Sequence, residues 1–229
     1  MFNMLNALID TLLPPRCLTC GSSDRVVLGV CAPCAARLKR ITGPVCDICG
    51  VELGEAGICL SCLRKRPPYD ILRGVYRFEG LLVDMIHAFK YGRATTLKRF
   101  LGWTMADAVG QWDIQADMIT FVPMHWTRVV ERGYNQAALL AKEVGRHRGL
   151  PLAGDVLRKT RMTAAQAGLA RRGRQKNVAG IFTATGIEDK SVMIVDDVIT
   201  TASTAYEIAL ACKKAGAARV SFVGLGRVL

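Results

Sequence analysis

Apolar residues along this chain fall into two patterns. Residues 118–122, 191–195 and 219–225 are short apolar runs with little polar alternation. Such runs read as strands buried on both faces, as in parallel sheets covered by helices. Residues 72–78 add a further strand carrying Val75, Tyr76 and Phe78. Longer segments over 81–91, 97–109, 135–147 and 202–215 space their apolar residues three or four apart and predict helices. Strands alternating with helices predict an α/β domain built on a largely parallel sheet. Ligands of such sheets collect beyond the carboxyl ends of the strands. Asp196 and Asp197 are expected there, emerging as the 191–195 strand ends.

Cysteine spacing divides the chain. Eight of its nine cysteines lie between Cys17 and Cys62. This predicts an N-terminal helix and cysteine-rich module over 1–68, and a body over 69–229 that folds without crosslinks. Arg64-Lys65-Arg66-Pro67-Pro68 forms the junction, since consecutive prolines stop a helix. The pairs Cys17/Cys20, Cys31/Cys34, Cys46/Cys49 and Cys59/Cys62 share one spacing, Cys-x-x-Cys. Two such pairs supply the four thiolates of a tetrahedral zinc site, so the eight residues hold one or two zinc ions. Consecutive pairing is the simplest assignment, and the spacing leaves an interleaved pairing open. Gly21 and Gly50 follow two of the pairs and suit the tight turns that aim backbone donors at sulfur. Closed four-sulfur shells organise a fold rather than catalyse. Cys212, alone in the last helix, reads as a small buried side chain.

Charge and hydropathy narrow the setting. The formal net charge is +12, and over residues 71–229 Lys and Arg outnumber Asp and Glu by 23 to 13. A basic body favours phosphorylated small molecules or polyanions. Met1, Leu5, Leu8, Leu12 and Leu13 fit one face of a short helix packed on the protein, with membrane or partner contact as the alternative. Residues 1–13 lack a basic start and a long apolar core, so they do not resemble a secretory signal. No apolar run is long enough for a transmembrane segment. A cytoplasmic protein is expected, where reducing conditions favour thiolate ligands over disulfides.

Three segments carry candidate chemistry. In the first, the 191–195 strand leads into Asp196, Asp197 and the hydroxyl-rich turn Thr200, Thr201, Ala202, Ser203 and Thr204 at a helix start. Free N–H groups and the helix dipole can cage a phosphate there, while paired acids suit vicinal sugar hydroxyls with or without magnesium. A capped surface turn is the plain alternative. The second is the loop after residues 118–122, with Met124, His125, Arg128 and Arg132, which suits a second phosphate or an exposed basic turn. The third, 156–187, contains no acid but has Arg158, Lys159, Arg161, Arg171, Arg172, Arg174 and Lys176, with a small helix near 164–170. It reads as a mobile basic segment that closes over pyrophosphate, tracks a nucleic-acid backbone, or faces solvent.

Taken together, the four Cys-x-x-Cys pairs, Arg132-Gly133-Tyr134-Asn135-Gln136, Arg161-Met162-Thr163-Ala164-Ala165-Gln166 and Val195-Asp196-Asp197 resemble the ComF family of competence-associated proteins over essentially the whole length. The resemblance implies a type I phosphoribosyltransferase-like domain behind a zinc-ribbon-like module. It implies that Asp196 and Asp197 meet the ribose hydroxyls of phosphoribosyl pyrophosphate, and that residues 200–204 cradle its 5′-phosphate. The 123–128 turn would approach the pyrophosphate with magnesium, and the basic segment would take the place of the flexible active-site loop. Ala202 stands where that motif usually carries glycine, so its methyl is expected to narrow the turn and weaken phosphate binding without abolishing it. The implied role is DNA uptake or natural transformation, with DNA-uptake or recombination proteins as partners. Two other functions fit the residues: a non-catalytic single-stranded DNA-binding or scaffold protein, and a nucleobase salvage phosphoribosyltransferase.

Overall fold

The computed structural model describes residues 15–92, 94–160 and 180–228. The expected helices near the N-terminus and at 164–170 lie outside the described residues, as do Arg161, Arg171, Arg172, Arg174 and Lys176. In the cysteine module the elements are β1 (Val26–Val27), β2 (Val30–Cys31), α1 (Ala32–Ala36) and α2 (Leu60–Arg64). The body follows with β3 (Ile71–Arg77), α3 (Leu81–Tyr91), α4 (Lys98–Gln111), β4 (Met118–Phe121), α5 (Trp126–Arg132) and α6 (Gln136–Arg148). It ends with β5 (Leu157–Lys159), β6 (Phe182–Ala184), β7 (Ser191–Ile199), α7 (Ser203–Lys214) and β8 (Arg219–Arg227). No helix among the described residues is long and apolar enough to cross a membrane.

The central sheet has four strands in the order β3-β8-β7-β4, and every neighbouring pair is parallel. This is the α/β arrangement that the unalternated apolar runs predict. Both faces of β7 are covered. Val192 and Ile194 pack with Ile208, Ala209 and Cys212 of α7. Met193 and Val195 pack with Met85 of α3, Leu101 of α4 and Leu140 of α6. Burial of Cys212 pushes its thiol up to about 12, as befits a small core residue rather than a reactive one.

Two expectations are corrected. The strand expected to end at Val195 continues to Ile199, so both aspartates lie inside β7. Acidic residues have low strand preference, but β8 extends alongside and pairs Asp196 with Gly224, Val198 with Gly226 and Ile199 with Arg227. Gly224 makes room: a Cβ there would come within 2.6 Å of Ile199 Cδ1. Second, the loop after β4 is partly helical, with α5 spanning Trp126–Arg132. The basic segment is also flanked by structure, because β5 and β6 pair antiparallel.

The cysteine module packs onto the body. Cys17, Cys31 and Cys34 share a core with Leu81 and Met105. Cys46 and Cys62 share another with Leu72, Ile194 and Phe222.

Candidate functional site

A cavity of about 240 Å³ opens at the carboxyl ends of β4 and β7. Met124, His125, Arg128 and Arg132 line it together with Asp196 and Asp197, so residues 64 to 73 apart in sequence reach one site. The block 132–136 explains much of this convergence, because each member does a separate job. Gly133 donates its N–H to Val129 O and ends α5 in the left-handed conformation. Tyr134 donates its hydroxyl hydrogen to Phe89 O, pinning the turn to α3. Asn135 Oδ1 accepts from Ala137 N at 2.9 Å and caps α6, while its Nδ2 donates to Val122 O at 3.1 Å. Gln136 Nε2 then donates to Asp197 Oδ2 at 3.0 Å.

The two aspartates have different environments. Asp197 is buried, and Lys90 Nζ lies 2.8 Å from its Oδ2. Among the described residues Asp196 has no such ion pair, and it accepts from Asp197 N at 2.8 Å. Burial, then the charge of Asp197, pushes the Asp196 carboxyl well above the usual carboxylate range. A cation or hydroxyl-bearing ligand brought to Asp196 would relieve that cost.

Lys90 and Lys159 also line the cavity. Burial, then the Arg128 guanidinium, lowers Lys159, so an anion there gains from two adjacent positive groups. Strand alternation in β5 sends the neighbouring Arg158 outward, where it is exposed and does not line this cavity. Sequence reasoning passed over Lys90 because it lies on a helix more than one hundred residues before Asp197; the available signal was a lysine beside Phe89 at the end of an apolar helix face.

Ala202, Ser203 and Thr204, with Thr200, surround a smaller cavity of about 30 Å³ that also touches Asp196. Thr201 lies on the other flank of the turn, and its Oγ1 is 2.8 Å from Ser203 Oγ. Ala202 is the N-cap of α7 and adopts φ 56° and ψ 11°. Alanine therefore takes the left-handed conformation that glycine reaches without strain.

The cysteines form two four-residue sites, Cys17/Cys20/Cys31/Cys34 and Cys46/Cys49/Cys59/Cys62, with the ligand atoms of each within 4.8 Å of one another. This is the consecutive pairing; the interleaved alternative is excluded because the two sets are spatially separate. Cys31 N donates to Cys17 Sγ at 3.4 Å, and Cys59 N donates to Cys46 Sγ at 3.3 Å. Burial alone would raise the Cys17 and Cys46 thiols, but backbone donors outweigh it and bring each down to about 6. Burial and the adjacent sulfurs push Cys34 up to about 12. Four thiols holding a shared negative charge in a closed shell fit a structural zinc ion. Gly50 meets two constraints: its φ is +64°, and a Cβ would fall 2.3 Å from Leu72 O on β3. The second site is thereby pressed against the sheet.

Residues 8–63 match the double zinc ribbon domain family. Over 223 residues the chain is 30% identical to competence protein F of Haemophilus influenzae, covering 93% of this chain and 96% of that protein. The chain belongs to the competence protein F family. It is also 33% identical to the DNA utilization protein YhgH of Escherichia coli strain K12, over 88% of this chain and 91% of that one. Competence protein ComFC of Bacillus subtilis is 27% identical over 77% of this chain and 75% of its own length. Among solved structures, glutamine phosphoribosylpyrophosphate amidotransferase from B. subtilis aligns at TM-score 0.40 and 22% identity, over 56% of this chain and 26% of that chain. A purine phosphoribosyltransferase from Pyrococcus horikoshii aligns at TM-score 0.32 and 17% identity, over 57% and 82%.

Proposed function

We propose that this chain binds phosphoribosyl pyrophosphate at the ends of β4 and β7 and acts in the cytoplasm in DNA uptake or use. The observation carrying the ligand is one cavity holding the paired aspartates, the Met124–Arg132 residues and two lysines, beside a hydroxyl-rich helix start. Asp196 is the carboxylate free to take ribose hydroxyls, since Lys90 and Gln136 already engage Asp197. Thr200 to Thr204 would surround the 5′-phosphate at the start of α7. Arg128, Arg132 and Lys159 would neutralise pyrophosphate. Magnesium fits this donor set, because it is commonly held by one or two carboxylates together with phosphate oxygens. When bound, it would supply further neutralisation of the departing charge. The names of the relatives, competence and DNA utilization, support the biological role.

Isothermal titration with phosphoribosyl pyrophosphate and magnesium tests the site. Saturable binding is expected for the wild-type chain and none for the Asp196→Ala, Asp197→Ala double variant; equal affinity in both overturns the assignment. In a host lacking its own family member, the wild-type chain is expected to restore uptake of labelled DNA and the double variant is not.

A further inference from the structure

Another cavity, with a mostly apolar lining and converging polar groups, lies away from the His125 loop. It encloses about 450 Å³ between the second four-cysteine site and the start of α7. Cys49, Cys59 and Cys62 line it together with Thr201, Ser203 and Tyr206. Arg227, the last residue of β8, reaches it from the sheet.

Arg227 is only 6% exposed, and its buried Nε and Nη1 have no hydrogen-bond partner among the described residues. No sulfur of the adjacent cysteine site accepts from either nitrogen, so the thiolates compensate the guanidinium through space only. Leaving donors of a charged group unpaired in the interior is costly. The fold nevertheless makes room for this side chain, since a Cβ on Gly74 would come within 2.6 Å of Arg227 Cβ. A second cation stands at the rim: Lys65 Nζ lies 5.6 Å from the centre of the Tyr206 ring. Tyr69, buried at the cavity wall, and Tyr206 present two aromatic rings, and Glu207 is the sole acid among the lining residues. Buried cation, rim cation, two rings and a mostly apolar wall define the ligand's chemistry.

We propose that this cavity binds a small aromatic anion, its negative group on Arg227 and Lys65 and its ring against Tyr206. The proposal does not rest on the sugar-phosphate reading, although Ala202 and Ser203 line both cavities and Thr201, also assigned to the 5′-phosphate, lines this one. A bound anion would offset the charge of Arg227 and tie the second cysteine site to the start of α7.

The dye 1-anilinonaphthalene-8-sulfonate, an aromatic anion, and its uncharged analogue N-phenyl-1-naphthylamine provide the test. Fluorescence titration of the zinc-loaded chain is expected to show one saturable site for the anionic dye and weaker binding of the neutral one. Arg227→Met should weaken the anionic dye roughly tenfold or more, as loss of a buried opposite charge beside the ligand does, while leaving the neutral dye unchanged. Tyr206→Ala should weaken both. The Asp196→Ala, Asp197→Ala pair should leave dye binding intact, which separates this site from the phosphoribosyl pyrophosphate site. Unchanged binding of the anionic dye in Arg227→Met, or equal loss of both dyes, overturns the proposal. So does an Arg227→Met chain that loses only zinc affinity, since Arg227 would then serve the thiolates alone. Should that variant fail to fold, Lys65→Met, at an exposed position, carries the test: undiminished binding of the anionic dye again overturns it.

Discussion

Lys90 Nζ sits 2.8 Å from Asp197 Oδ2, and both side chains are largely withdrawn from solvent, at 23% and 10% exposure. The pair joins the end of α3 to the carboxyl-terminal part of β7, and Gln136 of α6 completes it. Three elements are thus locked around one carboxylate. Because one partner removed leaves a buried charge uncompensated, Lys90→Met should lower the free energy of unfolding by about 1–3 kcal/mol. A double-mutant cycle with Asp197→Asn in urea should return a coupling of about 1 kcal/mol or more; independent effects would show that the contact contributes nothing.

Asp196 predicts a pH dependence of opposite sign to that of a stabilising ion pair. Its folded-state affinity for a proton exceeds the unfolded one, because burial and then Asp197 disfavour its charge. Between the ordinary aspartate value, about 3.9, and the raised folded value, the native chain holds a proton that the unfolded chain has lost. Stability from this group is therefore fully present below about pH 4 and falls as pH rises through the folded value. Asp196→Asn should remove that fall and raise stability at neutral pH. Urea midpoints measured across pH for both chains check this; parallel profiles would refute it.

Ala202 reports on the phosphate turn. At φ 56° a β-branched residue is worse than alanine, so Ala202→Val should cost roughly 1–2 kcal/mol. Ala202→Gly relieves the strain but loses a methyl packed beside the second core and gains unfolded-state freedom. Its stability should stay within about 1 kcal/mol of wild type, while its affinity for phosphoribosyl pyrophosphate should rise. Thermal unfolding and titration of the three chains separate these effects.

Metal content is the fourth test. Two separate four-cysteine sites should bind two zinc ions per chain, measured by atomic absorption. Cys20→Ser and Cys62→Ser should each reduce the count to one. Cys62→Ser should be the more destabilising, by an amount on the order of several kcal/mol, because Cys62 belongs to the core shared with Ile194 and Phe222, whereas Cys20 is exposed. Equal stability in the two variants would contradict that coupling.

Spacing along the chain by itself determined the helix at 81–91, the strand at 118–122, the buried character of 191–195 and 219–225, the four Cys-x-x-Cys pairs and the acidic stretch at 196–197. All are local properties: a helix face, an apolar run or a ligand pair needs only neighbouring residues. Tertiary structure alone decided which cysteine pairs share a metal, because spacing permits either partner and only spatial proximity chooses. It carried β7 through two acids to Ile199, because β8 extends beside it and overrides weak strand preference. It also placed Lys90 and Gln136 on Asp197 and buried Arg227 beside the second cysteine site. Those groups come from elements far apart in the chain, so no periodicity within any one element records that they meet.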